Sequence, residues 1–499
     1  MRDLLTYLPG GMDDTLSSLH YFMPEIYLGA LFLLVLITGL VYKRDAGGMC
    51  RVIAIAGMVF VLAQDAIQSY LPVSTTMPLF SRMLMLHHIG VLFKLVIDVI
   101  TILLLFYFAW DRQLKAHRKG LADLYAITIA SVFGLHLMVM AVNLLSIYLA
   151  IEFVSLASYL MVAYKSEQGL SAGAGLRYVL FGAAASGVML YGISLLYGFS
   201  GSMDLFDPAF IEGLSHVNTL SVSFALVLVF AGLGFKLSFI PMHFWVPDVY
   251  QGAATPVTAY LSTLPKIAAF ALLINFITPF VFIFQWNGFD FRLFLSVIGL
   301  ITMIAGNFAA VMQQNVKRML AYSSIGHTGF ALMAIVSFNS EGILALIFYL
   351  AVYAVANIGA LILASYFANI TGAENMDGYR GLGFKLPAAS VSFVIILISL
   401  TGLPVTAGFI GKVLVFQSVY NVYQQQHDIL LLLLLATGAL TTVVSLFYYI
   451  KIPLYLFLRK SDNNREYVIS SQILMILAIV IAVFLVFTGI FPNYLVKFL

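Results

Sequence analysis

The sequence predicts an all-α polytopic membrane protein of about fourteen transmembrane helices, with discontinuous helices 7 and 12 and two inverted five-helix repeats. Three observations lead there. The 499 residues are 62% hydrophobic and only 9% charged, against about 25% charged in soluble domains. Apolar windows of roughly 20 residues, each long enough to cross a bilayer, recur from end to end. Two windows are too long for one straight crossing and carry helix breakers inside them.

The windows run over 23–42, 52–71, 88–110, 121–141, 143–164, 175–199, 219–250, 255–277, 291–312, 318–337, 342–370, 387–422, 428–450 and 467–491. The stretch before the first is mixed and holds Asp3, Asp13 and Asp14, so the first window reads as a permanent helix and not a cleaved signal. Window 219–250 contains Pro241, and window 387–422 contains Gly402-Leu403-Pro404. Proline removes a backbone donor and ends helices. Lipid tolerates such breaks only where the freed groups face protein or water, the form transporters use to set backbone ends at mid-depth. The breaks fall five helices apart, and an odd offset turns one copy upside down relative to the other. The chain then divides into a three-helix region (1–120), a first antiporter-like repeat of helices 4–8 (121–277), a second, inverted repeat of helices 9–13 (291–458), and helix 14 (459–499).

Lysine and arginine set the orientation. Most of the 25 fall in alternate loops, among them Lys43, Arg44, Arg51, Arg112, Lys115, Arg118, Lys119, Arg318, Arg459, Lys460 and Arg465. The opposite side has only Arg2, Arg82, Arg292 and Lys497. This places a multi-pass chain with both termini on the outer, periplasm-like face. Four lysines remain inside windows: Lys94, Lys236, Lys266 and Lys412.

Ionisable groups at membrane depth are expensive and usually mark an ion path. The densest gathering is Lys236–Lys266, with two lysines, a histidine, an aspartate and four prolines in an otherwise apolar chain. Glu152 lies mid-window in NLLSIYLAIEFVSLASYLMVAY, with Ser155 and Tyr159 on the same stripe. It reads as a switchable partner for Lys236, or as a structural ion pair that fixes helix packing. Lys236 precedes Pro241 by five residues, Lys266 follows Pro265, and Lys412 sits in GLPVTAGFIGK beside the second break. Snorkelling to the interface is the structural alternative for each lysine. His327, in AYSSIGHTGF, suits a proton relay, and equally a satisfied core position. His243 and Asp248 are relay candidates at the mouth of helix 7, where they can as well set loop geometry. Lys94 and Asp98, four apart, read as a structural pair, with Lys94 snorkelling to the outer face.

Several classes are excluded. A net charge of +3 with dispersed cations does not suit nucleic acid. The single cysteine, Cys50, rules out an internal disulfide and a cysteine-ligated iron–sulfur cluster. There is no GxxxxGK[ST], no GxGxxG after a strand and no CxxCH. No metal or cofactor is expected in this chain, so any redox work belongs to a partner.

The run PMHFWVPDVYQGAATPVTAYLSTLPKIAAF closely resembles the signature of the antiporter-like membrane subunits of respiratory complex I. VPDVYQG and TLPKIAAF resemble the N subunit of NADH–quinone oxidoreductase more than the L or M subunits. AIEFVSLASYLMVAY, QNVKRMLAYSSIGHTGF and GLPVTAGFIGK are similar to that subunit's other motifs, in the same order, over about residues 20–490. Ala254 stands where GAPTPV is common and Val405 where GLPPTAGF is common, which puts local loop and break geometry in doubt but removes no ionisable group.

The resemblance implies proton translocation, driven by quinone reduction in other subunits of a bacterial inner-membrane complex. Quinone, FMN and iron–sulfur clusters are expected in those partners, which would include neighbouring antiporter-like and small membrane subunits. Glu152 and Lys236 would match the pair formed between helices 5 and 7, Lys266 the central lysine of helix 8, and Lys412 the lysine of helix 12 that links the track to the outer face. His327 matches a central polar position. Opening of the Glu152–Lys236 pair would release a proton toward Lys266 and Lys412; two unit charges about 4 Å apart interact by about 4 kcal/mol at an effective dielectric of 20. A subunit of a multi-subunit cation/proton antiporter or of a membrane-bound hydrogenase, and a purely structural spacer, are the competing readings.

Overall fold

In the computed structural model, residues 14–42, 46–72, 76–115, 120–460 and 472–497 are described. Arg2, Asp3, Asp13, Lys43, Arg44, Arg118, Lys119 and Arg465 lie outside them. Among the described residues, thirteen helices are long and apolar enough to cross a membrane. A hairpin, β1 (Thr76–Leu79) with β2 (Leu84–His87), was not foreseen; it pairs antiparallel in the loop before the third span.

The N-terminal region is α1 (Met23–Tyr42), α2 (Ala46–Gln68) and α3 (His88–Phe108). Then come α4 (Ala122–Met140), α5 (Leu144–Val162), α6 (Gly169–Ser200), α7 (Thr219–Leu237), the short α8 (Val246–Gly252) and α9 (Thr255–Thr278). The second half holds α10 (Phe291–Val311), α11 (Val316–Val336), α12 (Ser340–Thr371), α13 (Pro387–Thr401), α14 (Ala407–Gln426), α15 (Ile429–Tyr449) and α16 (Gln472–Ile490). The sixth helix begins six residues before its apolar window, because the glycine- and alanine-rich segment 169–174 is still helical. Window 387–422 is two pieces. Neither α13, at 15 residues, nor the polar-ended α14 is among the thirteen spanning helices.

Polar residues at the boundaries explain why the helices start and stop where they do. Asn143 caps α5 by accepting from Leu145 N at 3.0 Å, with Ser146 returning a bond to the Asn143 N–H. Asn218, Asn315, Asn339 and Asp428 cap α7, α11, α12 and α15 in the same way. Burial then sorts the helices. The apolar windows of α11 and α12 are 94% and 89% buried, whereas that of α1 is 28% buried. Leu33, Leu34, Ile37, Val480 and Val483 face outward, as lipid-facing side chains should. α9 packs on α3, α4, α7 and α12, and α11 packs on α10, α12 and α14, so α9, α11 and α12 form the protein-lined centre.

Candidate proton track

The two interrupted spans shape the site. α7 ends at Ser238, whose φ of +64° turns the chain out of helix. The chain then passes through Phe239–Phe244 before α8 begins. The freed backbone groups find protein partners. Phe239 N donates to Gly234 O at 3.2 Å. Ile240 N donates to Thr302 Oγ1 at 3.1 Å, and Trp245 Nε1 to Phe235 O at 3.1 Å. The peptide before Pro241 is cis. At the second break Gly402 has φ +85° and Val405 φ +74°. Gly408 N is met by Ser399 Oγ at 3.2 Å. Several of the backbone groups freed at the two breaks are thus met by protein partners.

Lys236, in the last turn of α7, is 2% exposed and donates to Ser155 Oγ on α5 at 2.9 Å. Glu152, one turn before Ser155, does not reach it: Glu152 Oε1 is buried without a hydrogen-bond partner, and the two make no ion pair within 4.0 Å. The expected contact is thus absent here, because Ser155 occupies the place of the carboxylate. Glu152 instead lines a lateral groove with Phe22, Phe80, Leu149, Phe153 and Leu156.

Lys266, at the middle of α9, is 2% exposed. Its Nζ donates to Ser324 Oγ at 2.7 Å, to Ser324 O at 3.1 Å and to Thr328 Oγ1 at 3.1 Å, all on α11. Thr328 Oγ1 donates in turn to the carbonyl of Leu237, the last residue of α7, at 3.0 Å. The open end of the broken helix is thereby joined through one hydroxyl to the central lysine. That junction sits one residue from Lys236.

His327 lies beside Thr328 on α11, 8% exposed. Its Nδ1 is 2.6 Å from Tyr349 Oη and its Nε2 3.3 Å from Tyr449 Oη, which also meets Ser323 Oγ. Lys412 closes the row at 5% exposed. Its Nζ donates to Thr401 O, at the broken end of α13, at 2.7 Å and to Thr442 Oγ1 at 3.3 Å. It also stands 4.6 Å from the centre of the Phe330 ring. The aliphatic stem of Lys412 lies on Gly402, where an added Cβ would come within 2.6 Å of its Cδ. None of the three lysines snorkels, since all are enclosed by helices on every side.

The remaining candidates sit elsewhere. Asp248, on α8, is held by Arg177 at 2.6 Å and Arg318 at 2.7 Å, and is more than a third exposed. This is a surface ion cluster that fixes α8 against α6 and α11. His243 is half-buried in the turn, with Nδ1 unpartnered. Pro241 and Pro404 lie in the two breaks. Lys94 departs from its expectation. It is 0% exposed and pairs with Glu25 and Asp65, while Asp98 pairs with His136. The sequence shows Ser324 one turn before His327 but not its bond to Lys266, and Thr328, Tyr349, Tyr449 and Thr442 were missed. Their signal was scattered hydroxyl residues on α11, α12 and α15, too common in membrane helices to stand out.

The sequence profile of the family described as NADH:quinone oxidoreductase/Mrp antiporter, TM, matches residues 141–441. NADH-quinone oxidoreductase subunit N 2 of Chloroherpeton thalassium is 36% identical over 458 residues, covering 89% of this chain and 86% of that protein. A chain of respiratory complex I from Thermus thermophilus, solved with bound aureothin, superposes with a TM-score of 0.77 at 27% identity, covering 95% and 98% of the two chains. A chain of an archaeal membrane-bound sulfane sulfur reductase shares the fold, with TM-score 0.81 at 21% identity over 95% and 96%. Profile, sequence and fold agree along the chain: it belongs to the NADH:quinone oxidoreductase/Mrp antiporter family of membrane proteins, among the subunit N sequences.

Proposed function

We propose that this chain is a proton-translocating membrane-arm subunit of an NADH:quinone oxidoreductase, working beside other membrane subunits that drive it. Glu152, Lys236, Lys266 and Lys412 carry the protons, with His327 as a relay, while quinone, FMN and iron–sulfur chemistry resides in partner subunits. The chain sits in a bacterial inner membrane with both termini on the periplasmic side, a reading supported by the cation bias of its loops.

One observation carries the proposal. Three buried lysines are each met by neutral hydroxyls and carbonyls with no carboxylate within 4.0 Å, two of them beside the broken helices and the third, Lys266, at the middle of α9 between them. Nothing in their immediate shells fixes their charge. Glu152 stands within one helical turn of Ser155, so a small rotation of its side chain would exchange the Lys236–Ser155 bond for an ion pair. That exchange changes the energy of a proton on Lys236 by an amount on the order of 4 kcal/mol, if the pair closes to about 4 Å at an effective dielectric of 20. Thr328 and the Leu237 carbonyl then supply a bonded connection toward Lys266.

The test uses the complete complex in proteoliposomes. Glu152→Gln and Lys236→Met should assemble normally and oxidise NADH, yet acidify the lumen less per electron. Wild-type proton stoichiometry in both variants would refute the proposal.

A further inference from the structure

A second charged group lies outside the track. Glu25 on α1, Asp65 on α2, Lys94 and Asp98 on α3, and His136 on α4 are all 0% exposed. Lys94 Nζ is 2.7 Å from Glu25 Oε1 and 2.6 Å from Asp65 Oδ1. His136 joins the acids: Nδ1 is 3.1 Å from Glu25 Oε1 and 3.8 Å from Asp65 Oδ2, and Nε2 is 3.1 Å from Asp98 Oδ1. Glu25 Oε2 and Asp98 Oδ2 are buried and have no hydrogen-bond partner. All five residues fall outside the family match at 141–441.

The charges do not balance. Three carboxylates face at most two cations, Lys94 and a doubly protonated His136, so the ionised cluster keeps one negative charge with nothing to answer it. The elements packed around it do not supply the missing cation. α9, against α3 and α4, brings Asn275, bonded to His87 at 2.8 Å and to Val139 O at 2.8 Å. The lysine of α9 is spent on Ser324 and Thr328. α12, against α3, brings Tyr349 to His327 and Tyr353 to Ser262 O. Asp111, the other acid close to α3, lies at its far end and accepts from Ser365.

We propose that the cluster takes up one further proton, and so forms a second proton-binding site distinct from the Glu152–Lys412 track. The proton would rest on a carboxyl, where it both cancels the excess charge and gives an orphaned oxygen a donor. Ligand atoms of Glu25, Asp65 and His136 lie within 4.8 Å of one another, so a proton on one carboxyl relieves its neighbours. The site is not sealed from the surface. Lys94 Nζ also donates to Gln68 Oε1 at 3.1 Å, and half-buried Gln68 at the end of α2 donates to Tyr21 O at 2.8 Å. Glu25 is the third residue of α1, Lys94 the seventh of α3 and Asp98 the eleventh, so the cluster lies roughly 3–15 Å inside the helix ends. That is the face with few loop cations, and the site is placed to buffer protons there.

The test is infrared difference spectroscopy of the assembled complex, titrated from pH 5 to 9 in sodium-free buffer, comparing wild type with Asp98→Asn. The wild type should show one additional protonated-carboxyl band, and Asp98→Asn, which balances the charges, should lack it. His136→Gln removes a cation and should raise the band's midpoint by about 1–3 pH units. If Asp98→Asn fails to assemble, Glu25→Gln makes the same balance and should lose the band alike. A null difference between wild type and the charge-balanced variant would overturn the proposal, leaving a permanently ionised structural knot. Suppression of the wild-type band by added sodium would overturn it too, assigning the place to a metal cation.

Discussion

Two regions of this molecule bury lysines in opposite ways. Lys94 is clasped by carboxylates at 2.6 and 2.7 Å in a cluster built from four helices that run without interruption. Lys236, Lys266 and Lys412 meet hydroxyls and carbonyls, Lys412 also a Phe330 ring face, and no carboxylate, and two of them stand beside broken helices. The contrast shows what a broken helix contributes. It presents neutral acceptors to a buried cation, so the cation is held without being neutralised. The N-terminal bundle meets Lys94 with acids instead, which pin the charge in place. Lys266, on unbroken α9, is held by Ser324 and by Thr328, the hydroxyl bonded to the broken end of α7.

The sharpest way to break this comparison is to remove the cation from the acid-rich side. Lys94→Ala would leave three buried carboxylates facing His136 alone, a loss of about 3–5 kcal/mol by analogy with other buried pairs. The subunit should then be strongly depleted from the purified complex, and normal recovery would erase the distinction between the two regions. Next in size is Thr328→Val. It keeps the shape of the side chain but cuts the bond to the Leu237 carbonyl and one of three bonds to Lys266. Proton pumping should fall several-fold while assembly and NADH oxidation persist, as measured by lumen acidification per NADH consumed.

Gly402→Ala probes the second break. Its φ of +85° costs an L residue about 1–2 kcal/mol, and the new methyl would press on the Lys412 stem. A moderate loss of pumping and a drop of a few degrees in thermal stability are expected, read by dye-monitored unfolding of the complex. The smallest effect belongs to Arg177→Gln. The Arg177–Asp248 pair is exposed, and Arg318 also holds Asp248, so no more than about 0–1 kcal/mol is at stake. Pumping should be unchanged within error, whereas a large loss would move Asp248 into the proton path.

Much of the architecture was legible because membrane helices announce themselves by length and apolarity. The three track lysines were legible for the same reason: one charge in an apolar window is conspicuous. What surrounds them was not. Ser324, Thr328 and Thr442 look like any membrane-helix hydroxyl, and only the packing of α9 and α14 against α11 and α15 turns them toward a lysine. The acid cluster hid for a different reason. It takes one or two polar residues from each of four helices, so Glu25, Asp65 and His136 drew no notice in the sequence. Lys94 and Asp98 looked like partners because they are four apart, yet each found its strongest contact across the bundle. Spacing on one helix cannot weigh a tertiary competitor. The hairpin at Thr76–His87 escaped because its strands are four residues each.

The account depends on protons crossing the centre of the molecule on Lys266. The most direct measurement is the proton-to-electron ratio of complexes carrying Lys266→Met, reconstituted in proteoliposomes alongside wild type at matched NADH oxidation rates. A lowered ratio with full assembly is the predicted result. A wild-type ratio would contradict the account, because the lysine at the junction of both halves would then be carrying nothing.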